Sequence, residues 1–269
     1  MYTTHNIGSE VFHLPETDQQ VDVRYYGTGN RPLVLLHGAG TTPADYEGLI
    51  EGLVEARPDF QIVAPCAPGV GESSPAQAGQ RIGSLAVRAL EAASVTDANP
   101  EDVTVFGHSH GGWAAIAIAE HNPELTVATA GTPVGDIPPT AQLVRGLLRD
   151  EMRHDVADAL RGKPALVIEL AGKLANAQAR SLARPVSAQK QLAIIEEQME
   201  HISTEEAAAV RRELLHDGRV RAAFFEDDAT VRPPAALQTV TMLPGNHMAP
   251  VRGPYEPIVG YINGLDQAA

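Results

Sequence analysis

At 269 residues the chain exceeds one average domain, but open α/β folds of this length commonly form a single core with an inserted lid, so one sizeable core is expected. Its 43% hydrophobic and 20% charged residues are those of a globular protein, no run approaches the ~18 apolar residues of a membrane span, and a formal net charge of -14 repels nucleic acid and anionic membranes. The single cysteine, Cys66, excludes an internal disulfide framework and a cysteine zinc cluster, and the opening MYTTHNIGSEVFHLPE lacks the basic and apolar stretches of a secretory signal, so a cytoplasmic location is expected.

VDVRYY reads as a strand, GTGN as a turn and RPLVLLHG as a second strand, whose continuous apolar run suits a central position covered on both faces. Helical periodicity follows from Pro43 to about Ala56, then a strand, QIVAP, and a loop of turn formers, APGVGESSP. Arg81 to Ala93 repeats apolar residues at helical spacing and leads through TDANPED into the strand VTVFG and the helix GGWAAIAIAEHN. LTVATAG is a further strand. PVGDIPP then breaks the pattern before a long section rich in helix formers, within which LVIELAGKLANAQARSL reads as one helix in preference to a strand at KPALVIEL. VRAAFFED and LQTVTMLP supply two closing strands and EPIVGYINGL a terminal helix. Strands alternating with helices imply crossover units and a largely parallel sheet.

The sharpest local signal is Val103 to Trp113: an apolar strand, then Gly107-His108-Ser109-His110-Gly111, then an alanine-rich helix. That is the strand-turn-helix context in which G-x-S-x-G forms a nucleophile elbow. Glycines are needed there because flanking side chains would collide with the neighbouring strand and helix, and the helix N-terminus behind Ser109 offers unpaired N–H groups to a developing oxyanion. His108 and His110 diverge from the serine in such a turn, so neither is read as its base. Nor do they form a metal site with His37, because no carboxylate or cysteine pattern accompanies them. Neither metal nor cofactor is expected.

Four stretches, in order, resemble the α/β-hydrolase superfamily: LVLLHGAG its strand and oxyanion loop, VAPCAPGVGESS its next strand and turn, VTVFGHSHGGW its elbow, and LPGNHMAP its histidine loop. The resemblance implies an α/β-hydrolase fold, with a mostly parallel sheet of about eight strands flanked by helices. It places the core at 1–136 and 218–269, with a helical lid at 137–217 inserted after the sixth strand. It also implies Ser109 as nucleophile, His247 as base, and the backbone N–H groups of Ala39 and His110 as the oxyanion hole. His37, Gly38, Gly40 and His108 would line the pocket. For the acid, Asp228 aligns best, with Asp227 and Glu226 adjacent rivals and Asp136 in GTPVGDIPP as the alternative. The stretch from Asp228 to His247 is short for a crossover helix. Cys66 departs from the aspartate common at that position and reads as a buried small side chain.

Hydrolysis of a small or medium hydrophobic ester or lactone through an acyl-enzyme is the leading expectation, since Ser109 stands where the epoxide hydrolases and haloalkane dehalogenases of this fold carry an aspartate. The stretch from His108 to Trp113 also resembles the elbow of cofactor-independent dioxygenases that open N-heteroaromatic rings. A third reading is a slow or non-catalytic binding member. The expected partner is a small-molecule substrate, with neither nucleic acid nor membrane, and the sequence leaves a homodimer open.

Overall fold

The computed structural model describes residues 6–135 and 202–265, apart from 40, 78, 94, 96, 97, 236, 238 and 239. In chain order the strands are β1 (Asn6–Leu14), β2 (Gln19–Tyr26), β3 (Arg31–Leu36), β4 (Phe60–Pro65), β5 (Thr104–His108), β6 (Thr126–Ala130), β7 (Val220–Phe225) and β8 (Thr241–Leu243). They form one sheet in the order β1-β2-β4-β3-β5-β6-β7-β8. The β1–β2 and β2–β4 pairs are antiparallel, and every pair from β4 to β8 is parallel.

Side chains alternate across a strand, so the continuous apolar runs of the central strands feed two cores at once. Leu33 and Leu35 of β3 enter one core, Val34 and Leu36 the other; Phe225 and Phe224 of β7 divide in the same way. The first core is closed by α1 (Glu47–Ala56) and by α6 (Glu256–Asn263), which follows a four-residue turn of helix, α5 (Ala249–Arg252). The second is closed by α2 (Ser84–Ala92), α3 (His110–His121) and α4 (Glu205–His216). Three layers result, with the sheet in the middle. Among the described residues no helix is long and apolar enough to cross a membrane.

The strands from VDVRYY through VRAAFFED appear within a few residues of their expected positions. The helical run from Pro43 divides into a 3-10 turn, Pro43–Tyr46, and α1; Asp45 caps the turn by accepting the Thr42 N–H at 2.7 Å. Two differences have physical causes. β1 was not expected, because NIGSEVFHL shows no sustained alternation; its pairing with β2 alone makes it an edge strand. The link from β7 to β8, expected to be tight for a helix, carries none among its described residues and runs as a loop. The expected lid falls mostly outside the described residues, as does the helix reading of LVIELAGKLANAQARSL. Of the lid range, α4 is described, and it packs against α3 and β7.

Candidate active site

Three loops at the carboxyl ends of the parallel strands meet above β5. In open parallel α/β sheets this edge is where ligands bind. The middle loop is the elbow: Ser109 has φ 53° and ψ -118°, a left-handed conformation that costs a non-glycine residue on the order of 1–3 kcal/mol. Its backbone is held from both sides, the N–H donating to the Ala130 carbonyl at 3.0 Å and the carbonyl accepting from Thr132 Oγ1 at 3.1 Å. A Cβ at Gly111 would collide with the Leu36 carbonyl, and one at Gly112 with Thr132 Oγ1. The glycines are therefore what lets α3 approach β3 and the turn after β6 closely enough to hold the serine in place.

The second loop, after β8, brings His247 Nε2 to 2.9 Å from Ser109 Oγ. The third begins at the end of β7, where the Asp228 N–H donates to the Phe225 carbonyl at 3.2 Å and the turn points the Asp228 side chain inward. Asp228 Oδ2 lies 2.9 Å from His247 Nδ1, and Asp228 Oδ1 accepts the Thr230 and Val231 N–H groups at 2.7 and 2.8 Å. Both partners are sealed from water, Asp228 at 0% and His247 at 1% exposure. A buried carboxylate is tolerated because its oxygens are met by donors. With Nδ1–H donating to Asp228, Nε2 is bare and can accept the Ser109 hydroxyl proton, which is the arrangement an activated serine requires.

The remaining candidates distribute around this chain. Asp227 and Glu226 are exposed, and their backbone N–H groups extend the β7–β8 pairing to Gly245 and Leu243. Neither meets His247. Asp136 and Gly40 lie outside the described residues. Gly38 is buried close to the serine: a Cβ built on it would sit 3.4 Å from Ser109 Cβ. Its N–H is taken by Tyr46 Oη at 2.8 Å, whereas the N–H groups of Ala39 and His110 meet no partner among the described residues. His37 accepts the Ala67 N–H on Nε2 at 2.9 Å and faces the Gly38 carbonyl through Nδ1 at 3.0 Å, tying the loop after β3 to the one after β4.

His108, expected to line the pocket, does not: it is 2% exposed and lies beneath it, with both ring nitrogens engaged. A shallow recess adjoins the other side of the elbow, lined by His110, Leu36, Cys66, Ile82, Leu85 and Ala114. Cys66 is buried, and burial, reinforced by the Asp22 carboxylate, pushes its thiol up to about 12. It is a neutral, inert group at neutral pH. Among the described residues no three His, Cys, Asp or Glu side chains gather as a metal ion would require.

The family model described as "Alpha/beta hydrolase family" matches residues 33–261. The chain belongs to the alpha/beta hydrolase family. A putative lipase from Acinetobacter baumannii AYE superposes on this hydrolase-family chain with a TM-score of 0.65 at 17% identity, over 97% of this chain and 93% of that one. The N-acyl homoserine lactonase AidH gives 0.64 at 17% identity over 98% and 99%, and the haloalkane dehalogenase DbeA from Bradyrhizobium elkani USDA94 gives 0.63 at 16% over 98% and 99%. At such identities the likeness is one of fold. Comparison with curated proteins finds no match.

Tyr46 is the site-adjacent residue that sequence reasoning missed. It sits in no motif, and its partner His108 is 62 positions away. A tyrosine ending a capped turn just past the loop after β3 was the available signal.

The histidines around the elbow predict that acid destabilises this hydrolase-family member. Burial, reinforced by His37, lowers His110 to about 4; burial, reinforced by His247, holds His108 well below its ordinary value; and burial lowers His37, against the Gly38 hydrogen bond. An unfolded histidine titrates near 6.5. As pH falls below that value the unfolded chain takes up protons that the folded one refuses, so stability present above pH 6.5 is lost on the way to pH 4. Melting temperatures between pH 7.5 and 4.5 should therefore fall more steeply for wild type than for His110→Gln. Parallel profiles would contradict the assignment.

Proposed function

We propose that the protein is a serine hydrolase that works through an acyl-enzyme on a small or medium hydrophobic carboxylic ester or lactone. The observation that carries this reading is the unbroken Ser109–His247–Asp228 hydrogen-bond chain. Ser109 Oγ attacks the carbonyl carbon while its proton passes to His247 Nε2, and the carbonyl oxygen, now an oxyanion, takes the N–H groups of Ala39 and His110. The C–O bond breaks as His247 returns the proton to the departing alkoxide. A water, deprotonated by the same imidazole, then attacks the acyl-enzyme and regenerates Ser109. Asp228 keeps the imidazole in the tautomer that can accept and stabilises the cation it becomes.

A serine nucleophile favours acyl transfer over the aspartate-based chemistry of epoxide hydrolases and haloalkane dehalogenases of this fold. The side chains of Leu36, Ile82, Leu85 and Ala114 beside His110 are apolar, in keeping with a hydrophobic acyl or lactone group. The lipase and lactonase among the structural neighbours accord with that class.

The test is turnover of p-nitrophenyl esters of short and medium acyl chain, with dissolved oxygen followed in parallel against hydroxy-quinolones. Ester hydrolysis without oxygen uptake is expected. Oxygen uptake that depends on His247, without ester turnover, would replace this reading with the ring-opening dioxygenase; binding without turnover of any ester or lactone would replace it with a non-catalytic receptor.

A further inference from the structure

We propose that Tyr46 and His108 are positioning residues that, through one buried hydrogen-bond chain, fix the loops after β3 and β8 relative to Ser109. The catalytic consequence rests on the serine-hydrolase reading; the structural claim does not.

Every proton in the chain can be assigned. His108 Nε2 lies 2.8 Å from the His247 carbonyl oxygen, and a carbonyl only accepts, so Nε2 carries the hydrogen. Burial keeps the His108 ring neutral, which leaves Nδ1 bare. Tyr46 Oη, 2.6 Å from that nitrogen, must donate to it. The phenol oxygen then accepts the Gly38 N–H at 2.8 Å. Burial also raises the Tyr46 phenol, so the donor stays protonated throughout the working range. Any other assignment sets two hydrogens against each other or leaves a buried donor unmet.

The chain's endpoints are what link it to the reaction. Gly38 immediately precedes Ala39, whose N–H is available to an oxyanion. His108 immediately precedes Ser109. The His247 carbonyl belongs to the residue whose ring nitrogen faces the Ser109 hydroxyl. One line of hydrogen bonds therefore pins the loops after β3, β5 and β8 together, and it does so where water cannot compete: Tyr46 is 0%, His108 2% and His247 1% exposed. Ring packing locks the geometry further, with the His108 ring edge-on to Tyr46 at 5.8 Å and to Phe225 at 6.5 Å between centroids.

A buried, satisfied histidine that merely stabilises the core would leave chemistry untouched when its partner is trimmed, and this is what the test separates. Tyr46→Phe keeps the ring and its packing and removes one oxygen. Its kcat on a p-nitrophenyl ester should fall about 10- to 100-fold with KM within about twofold, the penalty of a displaced catalytic group in an otherwise intact site. In ¹⁵N-histidine NMR, the His108 Nδ1 resonance should lose its acceptor shift and the His247 ring resonances should move. His108→Gln, whose amide can still donate to the His247 carbonyl, should retain more activity than His108→Leu.

Wild-type kcat and unmoved His247 resonances in Tyr46→Phe, with only the melting temperature lowered, would overturn the proposal. If wild type itself neither hydrolyses esters nor labels with a fluorophosphonate, the serine-hydrolase reading falls. The NMR comparison would still decide whether the chain positions His247.

Discussion

Ser109→Ala is expected to abolish labelling by a fluorophosphonate probe and to lower ester turnover by at least ~10³-fold, leaving the residual rate that oxyanion donors and binding supply alone. The expectation follows from Ser109 Oγ being, among the described residues, the hydroxyl that faces His247 Nε2, at 2.9 Å. Alanine should fit without rearrangement, because the backbone is held by Ala130 and Thr132 rather than by the side chain. Its φ of 53° is a conformation no easier for alanine, so folding stability should change little. Cys66→Ala is the matched control. A thiol pushed up to about 12 is protonated at neutral pH, and that variant should label as wild type does. Persistent labelling of Ser109→Ala would sink the nucleophile assignment.

Asp228→Asn should be nearly as damaging, with kcat reduced by about 10⁴ while the fold stays intact. The cause is a tautomer. Asp228 Oδ1 is committed to the Thr230 and Val231 N–H groups, so an asparagine must place its oxygen there and turn its amide N–H toward His247 Nδ1. Two donors cannot face one another, and the imidazole responds by moving its proton to Nε2. That nitrogen can then no longer accept from Ser109. Asp227→Asn, on an exposed neighbour that does not meet His247, should leave kcat unchanged. Equal losses in the two variants would mean that the turn is being disrupted rather than the acid removed. Circular dichroism and melting curves of the purified proteins distinguish those cases.

The sequence carried the site's principal residues more clearly than its supports. Ser109 and His247 are legible because each sits in a compact local motif. Asp228 was separable from Asp227 and Glu226 only by alignment, since the turn that drives one carboxylate inward and leaves two outside depends on a hydrogen bond to Phe225 that no composition reveals. His108 reads as a pocket residue because its neighbours are; its burial is set by Tyr46 and by the His247 loop, 62 and 139 positions away. The central strands were legible through their apolar runs. β1 was not, because NIGSEVFHL has neither the continuous apolar run of a strand covered on both faces nor the sustained alternation of one with a single buried face. Of the expected strand LQTVTMLP, Thr241–Leu243 form β8, in register with the end of β7.

The Ser109–His247 hydrogen bond spans 138 positions of sequence, and the elbow that precedes it is complete in β5 and α3. A nascent chain therefore carries its serine long before the strand that delivers the imidazole has been made. Until β8 docks, Ser109 lacks the His247 imidazole as a partner. Long-range contacts of this kind form late in folding, since closing them costs chain entropy before any packing rewards it. The result is a built-in delay: a half-made chain holds the serine without the imidazole, and the meeting of the two becomes a report that the whole sheet has closed.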